Sequence, residues 1–115
     1  LKLKLLLFLF IFLVLINGIS ASTEISMCQT LDTVDETYLL NADIVNNATT
    51  CMTITANNIT LDCQGYTIDG VNTGSGIFVD GASGAEITNI TIKDCIINDF
   101  EDGIYFDYTD NSTLN

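Results

Sequence analysis

Downstream of an apolar start, the chain alternates apolar and polar residues with a period of two, the pattern of strands that bury one face. Asn58-Ile59-Thr60-Leu61 shows it most plainly, returns as Asn89-Ile90-Thr91-Ile92, and begins again as Asn111-Ser112-Thr113-Leu114. A second block, Gly76-Ile77-Phe78-Val79-Asp80, returns as Gly103-Ile104-Tyr105-Phe106-Asp107. The first block recurs after 31 and then 22 residues and the second after 27, spacings that predict an internally repeated, stacked structure. A basic coil of about 22 residues accounts for them if the first coil carries about nine more. Loops around 71–76 and 81–86 absorb the excess, because closure entropy grows slowly with loop length. Ile59, Leu61 and Cys63 share one parity and form the candidate core face of the first coil.

Equivalent blocks recur in the same order, with no tight Asn-Gly or Asp-Gly turn between two strands of one repeat, so the strands are expected to lie parallel. Hairpins at Asp69-Gly70 and Asp80-Gly81 would give an antiparallel meander instead, which leaves the repeated blocks unexplained. Residues 22–56 lack the repeat but contain two strand-like stretches, Thr37 to Ile44 and Cys51 to Thr55. They are read as an N-terminal capping segment over the open end of the stack, with repeats over 57–115.

The apolar start has its own logic. Lys2 and Lys4 precede an apolar run of 12 residues, Leu5 to Ile16. As a helix that run spans roughly 18 Å, short of a hydrocarbon core of about 30 Å. Asn17-Gly18 and the small residues Ser20, Ala21 and Ser22 follow, so residues 1–21 read as a helical, cleavable secretory signal peptide, with an uncleaved signal anchor as the alternative. Leu1 stands where a Met would begin a chain, and Asn115 falls inside a repeat. The expectation is the N-terminal part of a longer protein, truncated within its repeats. No membrane span is expected in the mature part.

Composition changes the picture in two ways. The formal net charge is −12, with 15 acidic residues, no His, and Lys93 the only base beyond the apolar start. A field of that sign repels phosphate backbones and anionic membranes, so nucleic acid is not an expected partner. The four cysteines, Cys28, Cys51, Cys63 and Cys95, favour disulfides in an oxidising compartment. Without a Cys-x-x-Cys pair or any His they do not read as a zinc site. Of the three pairings, Cys28 with Cys51 is the first choice, since it closes a loop ahead of the repeats. Aligning Asn58 with Asn89 sets Cys63 opposite Asp94 and leaves Cys95 one residue out of register, which argues against a Cys63–Cys95 bridge unless a bulge intervenes.

The stretch Ile54 to Gly70, with Ile87 to Cys95 and Gly103-Ile104-Tyr105, resembles the opening coils of right-handed parallel β-helix repeat proteins. It is similar to the secreted and surface proteins of archaea, and more distantly to the copper-site maturation proteins of nitrous oxide reductase. The resemblance implies an all-β solenoid (the pectin lyase-like fold) of a cap plus about two to three coils. It implies a secreted or cell-surface location and a structural, adhesive or carbohydrate-binding role toward glycans or other envelope components. The competing implication is a polysaccharide lyase or glycoside hydrolase whose catalytic residues lie in further coils.

No catalytic constellation stands in these residues. Asp99, Glu101, Asp102, Asp107 and Asp110 form the one acidic grouping, either solvated turn carboxylates or ligands for a weakly held Ca²⁺, though their spacing matches neither an EF-hand nor a nonapeptide Ca²⁺ repeat. No other cofactor is implied. Sequons stand at Asn47, Asn58, Asn89 and Asn111. The last three coincide with the repeat, where an Asn ladder at successive corners competes with glycan attachment. Asn47, outside it, is the better acceptor.

Overall fold

The computed structural model describes residues 21–115. The apolar run read as a signal helix lies outside them. In chain order the strands are β1 (Ser22–Ile25), β2 (Gln29–Leu31), β3 (Thr37–Leu40), β4 (Ile44–Asn47), β5 (Met52–Ile54), β6 (Thr60–Asp62) and β7 (Thr67–Gly70). They continue as β8 (Ser75–Asp80), β9 (Ile87–Thr88), β10 (Thr91–Lys93), β11 (Ile96–Asn98), β12 (Asp102–Asp107), β13 (Thr109–Asp110) and β14 (Thr113–Leu114). Every regular element among the described residues is a strand, and none is a helix that could cross a membrane.

These strands form four sheets. The first has the order β1-β3-β6-β10-β14, the second β2-β5-β8-β12, the third β4-β7-β11, and the fourth pairs β9 with β13. Every pairing between named strands is parallel. Among the described residues the one antiparallel contact is an isolated bridge between Ala82 and Ala85 at a loop tip. A parallel neighbour cannot be reached through a tight turn, so the chain must cross other sheets before it returns. From β3 onward it visits the first, third and second sheets in that order, and twice passes through the fourth before rejoining the first.

The period-two alternation becomes columns of side chains running across the sheets. Tyr38, Leu61, Ile92 and Leu114 share one column of the first sheet. Leu31, Ile54, Val79 and Phe106 form a column of the second sheet, beside Met52, Ile77 and Ile104. Ile44, Ile68 and Ile97 line the third. Leu61 and Ile77 are 0% exposed and Ile92 2%, whereas Leu114 on the last strand is 55% exposed. Among the described residues no polar or charged side chain is buried.

The glycines of the two suspected hairpins have a different use. A Cβ on Gly70 would meet the carbonyl of Asp99 and the Phe100 ring, and one on Gly81 would collide with the carbonyls of Tyr108 and Asp107. Both glycines let the backbone carrying those carbonyls pass closely. The surplus in the longer repeat sits at corners: six residues, 81–86, join β8 to β9, whereas Tyr108 alone joins β12 to β13.

Residues 22–56 contribute β1 to β5, which pair within the same sheets as the later strands, with a register shift between Ile44 and Asn47 of β4. Ser22 pairs with Thr37, and Thr37 with Thr60.

Candidate functional site: the outward faces and corners of the sheets

Since no polar or charged residue is buried among the described residues, the candidates for chemistry there are the outward columns and the corners. The corner that leads into the first sheet is the most regular. Asp35, Asn58, Asn89 and Asn111 occupy it on successive turns, with φ of 64°, 58°, 58° and 52°. This left-handed region costs most residues about 1–2 kcal/mol, and Asn and Asp tolerate it best. Their side chains also link the turns: the Asn89 amide donates to Asn58 Oδ1 at 2.9 Å, and the Asn58 amide donates to Asp35 Oδ1 at 2.7 Å. Two residues on, Ser22, Thr37, Thr60, Thr91 and Thr113 form an in-register hydroxyl column of the first sheet. The three repeated sequons are therefore also the corner and the first outward rung of that sheet. Asn47 stands apart in β4, where its amide donates to the carbonyl of Thr49.

Both disulfides join neighbouring turns. Cys28 bonds to Cys51 with a Cα separation of 4.5 Å, and Cys63 bonds to Cys95 at 4.7 Å. The second corrects the parity argument. Lys93 pairs with Asp62 and Ile96 with Thr67, so four residues turn the corner on one level and two on the next. Gln64 and Asp94 sit there at φ of 51° and 53°, and parity stops counting once the chain leaves the extended region. The corner is closed by Cys63 N–H donating to the Lys93 carbonyl at 3.0 Å and Gly65 N–H to the Asp94 carbonyl at 2.8 Å.

The acidic candidates are spread along the chain's last described turn. Asp99 occupies the corner after β11 with φ 53°, and Glu101 lies in the loop that follows. Asp102 and Asp107 stand at opposite ends of β12, roughly 16 Å apart along an extended strand. Asp110 ends β13 and accepts from the Asn111 N–H at 2.9 Å. Among the described residues no three acidic or sulfur-bearing side chains converge on a point a metal ion could occupy. Lys93 is already engaged, 3.1 Å from Asp62 with its side chain 40% exposed.

Sequence reasoning missed two arrangements. Asp35 takes the corner place of Asn, although Asp35-Glu36-Thr37 repeats the polar-x-Thr spacing of Asn58-Ile59-Thr60 and so carried the signal. Phe78 and Tyr105, from the repeated Gly-Ile blocks, pair in register on the second sheet with ring centroids 5.5 Å apart. Comparison with protein-family models, with curated proteins and with solved structures returned no match for this chain.

Proposed function

We propose that residues 22–115 form successive coils of a right-handed parallel β-helix in an exported protein, secreted or held at the cell surface. Its work is structural, adhesive or carbohydrate-binding, toward glycans or other envelope components. The observation that carries the reading is the cyclic path through the sheets around an interior with no buried polar group among the described residues. Right-handedness follows from the strong preference of parallel crossovers for that hand. Two disulfides that bind turn to turn suit an oxidising compartment.

A binding role is favoured over an enzymatic one by what faces outward. Catalysis on a glycan needs paired acids or a cation beside the bond being broken. Asp99 to Asp110 do not converge on one point, Asp80 and Asp107 meet in register beside the Phe78 and Tyr105 rings as a ligand platform would have them, and Lys93 is held by Asp62. The test is a glycan array that includes neutral, anionic and amino-sugar glycans, with incubated ligands checked by mass spectrometry. Binding with intact ligands supports the reading. Unsaturated or reducing-end products would replace it with a lyase or hydrolase. Glycopeptide mapping of the exported protein tests the accompanying modification: a glycan on Asn47 is expected, and unmodified Asn47 peptides would refute it.

A further inference from the structure

The outward face of the second sheet differs from the other regular columns. Leu31, Ile54, Val79 and Phe106 point inward, so the residues one position earlier, Thr30, Thr53, Phe78 and Tyr105, form the adjacent outward column. It changes from hydroxyls to aromatic rings part-way along. Phe78 is half-buried and Tyr105 is 47% exposed, with the two rings inclined by 36°. Two positions further on and on the same face, Asp80 pairs in register with Asp107. Two residues of extended strand measure about 6.6 Å, so both carboxylates border the aromatic pair at the distance of a ring-sized ligand.

We propose that Phe78, Tyr105, Asp80 and Asp107 make a recognition site for glycans bearing free amino sugars. This rests on the carbohydrate-binding reading above and deepens it. The aromatic rings supply an apolar platform for the C–H face of a sugar, and their negative faces attract a nearby ammonium group. Asp80 and Asp107 accept hydrogen bonds from the same ammonium and from neighbouring hydroxyls, and bonds to charged groups are the stronger kind. Charge selects the class. Two carboxylates meet side by side here, in a chain with 15 acidic residues and one base outside the apolar start. An anionic glycan would be repelled, a neutral one would gain only the stacking, and a cationic one gains both.

The probes are a glucosamine tetramer and its N-acetylated counterpart, which differ in charge but share the sugar backbone, with polylysine as a third ligand. Each is titrated by calorimetry against the full chain with its disulfides intact, at low and at physiological salt. The expected result is binding of the glucosamine tetramer at least about tenfold tighter than the N-acetylated one, and weakened by salt. Tyr105→Leu should weaken it by about tenfold, and Asp107→Asn should shrink the preference for the free amine. Circular dichroism and the melting temperature of both variants should stay at wild-type values, since both side chains are outward. Equal binding of the two tetramers, or unchanged binding by both variants, would overturn this site while leaving the carbohydrate-binding reading intact. Competition by polylysine at equal affinity would assign the face to a basic peptide and also overturn it. Failure of every glycan to bind would remove the carbohydrate reading itself.

Discussion

Breaking the Cys63–Cys95 bridge is the sharpest test of the stacked arrangement. The bridge spans a sequence separation of 32 and joins corners only 4.7 Å apart at their Cα atoms, while the Cys28–Cys51 bridge spans 23. The loop-entropy relation gives about 3.7 kcal/mol for the first and about 3.4 kcal/mol for the second. The two loops do not overlap in sequence, so their effects on the unfolded chain add, to about 7 kcal/mol. A small domain has about 5–15 kcal/mol in total. Loss of either bridge should therefore leave the chain folded at room temperature, and loss of both should remove about half or more of its stability.

In a protein of this size 1 kcal/mol moves the melting temperature by about 4–8 °C, so Cys63→Ala with Cys95→Ala should melt about 15–30 °C lower than wild type. Cys63 is 0% exposed, and its replacement also leaves a small void costing about 1 kcal/mol. Reduced wild type separates the two effects, because it keeps the sulfur atoms and loses only the cross-links. Thermal and urea melts of oxidised, reduced and doubly substituted protein, with peptide mapping of the bonds, make the assay. A bridge variant that melts within about 3 °C of wild type would refute the reasoning, as would peptides joining Cys63 to any cysteine but Cys95.

Three further outcomes follow from the geometry. Asn58→Ala removes the amide that links Asp35 to Asn89 and places Ala at φ 58°, so urea denaturation of unglycosylated protein should show a loss of about 2 kcal/mol. Asn58→Gly should recover about half of that, because glycine adopts the conformation freely. Ile77→Ala, at a fully buried position, should cost about 2–5 kcal/mol, against about 0.5 kcal/mol or less for Leu114→Ala, which is 55% exposed. Gly81→Ala should destabilise by more than about 1 kcal/mol, because the carbonyls its Cβ would strike belong to Asp107 and Tyr108, whereas Lys93→Met should cost less than about 1 kcal/mol because the Lys93 side chain is 40% exposed.

How legible this was depended on whether a residue sat in a strand or at a corner. Ile59, Leu61 and Cys63 were readable as core because parity holds along extended chain, and all three are 0% exposed. The common corner of Asn58, Asn89 and Asn111 was readable because a left-handed turn favours one residue type and the apolar residue after Thr marks the strand that follows. The Cys63–Cys95 bridge was hidden by a corner where Gln64 and Asp94 leave the extended region, so that counting by twos no longer says which way a side chain points. Thr37 pairing with Thr60 was hidden for a milder reason, since Asp35 replaces Asn and Tyr38 replaces Leu without altering the geometry. The acidic residues were the least legible, because chain proximity from Asp99 to Asp110 does not bring three of them to one point.

The same distinction bears on the proposed recognition site. An inward column must be apolar on every turn, so Tyr38, Leu61 and Ile92 carry no information beyond packing. The regular outward columns are nearly as constrained: Asn58 and Asn89 hold the corner, and Thr37, Thr60 and Thr91 follow it with a residue suited to strands. Freedom remains only in outward columns whose residues change from turn to turn. Two such columns stand out. One runs Leu39, Asp62, Lys93 on the first sheet, and there the change of charge is used internally, as a salt bridge between neighbouring turns. The other runs Thr30, Thr53, Phe78, Tyr105, and its rings satisfy no need of the interior. Exposed aromatic area offers the stack little and a ligand much, so a binding assay, rather than a melting curve, is where Tyr105 should register.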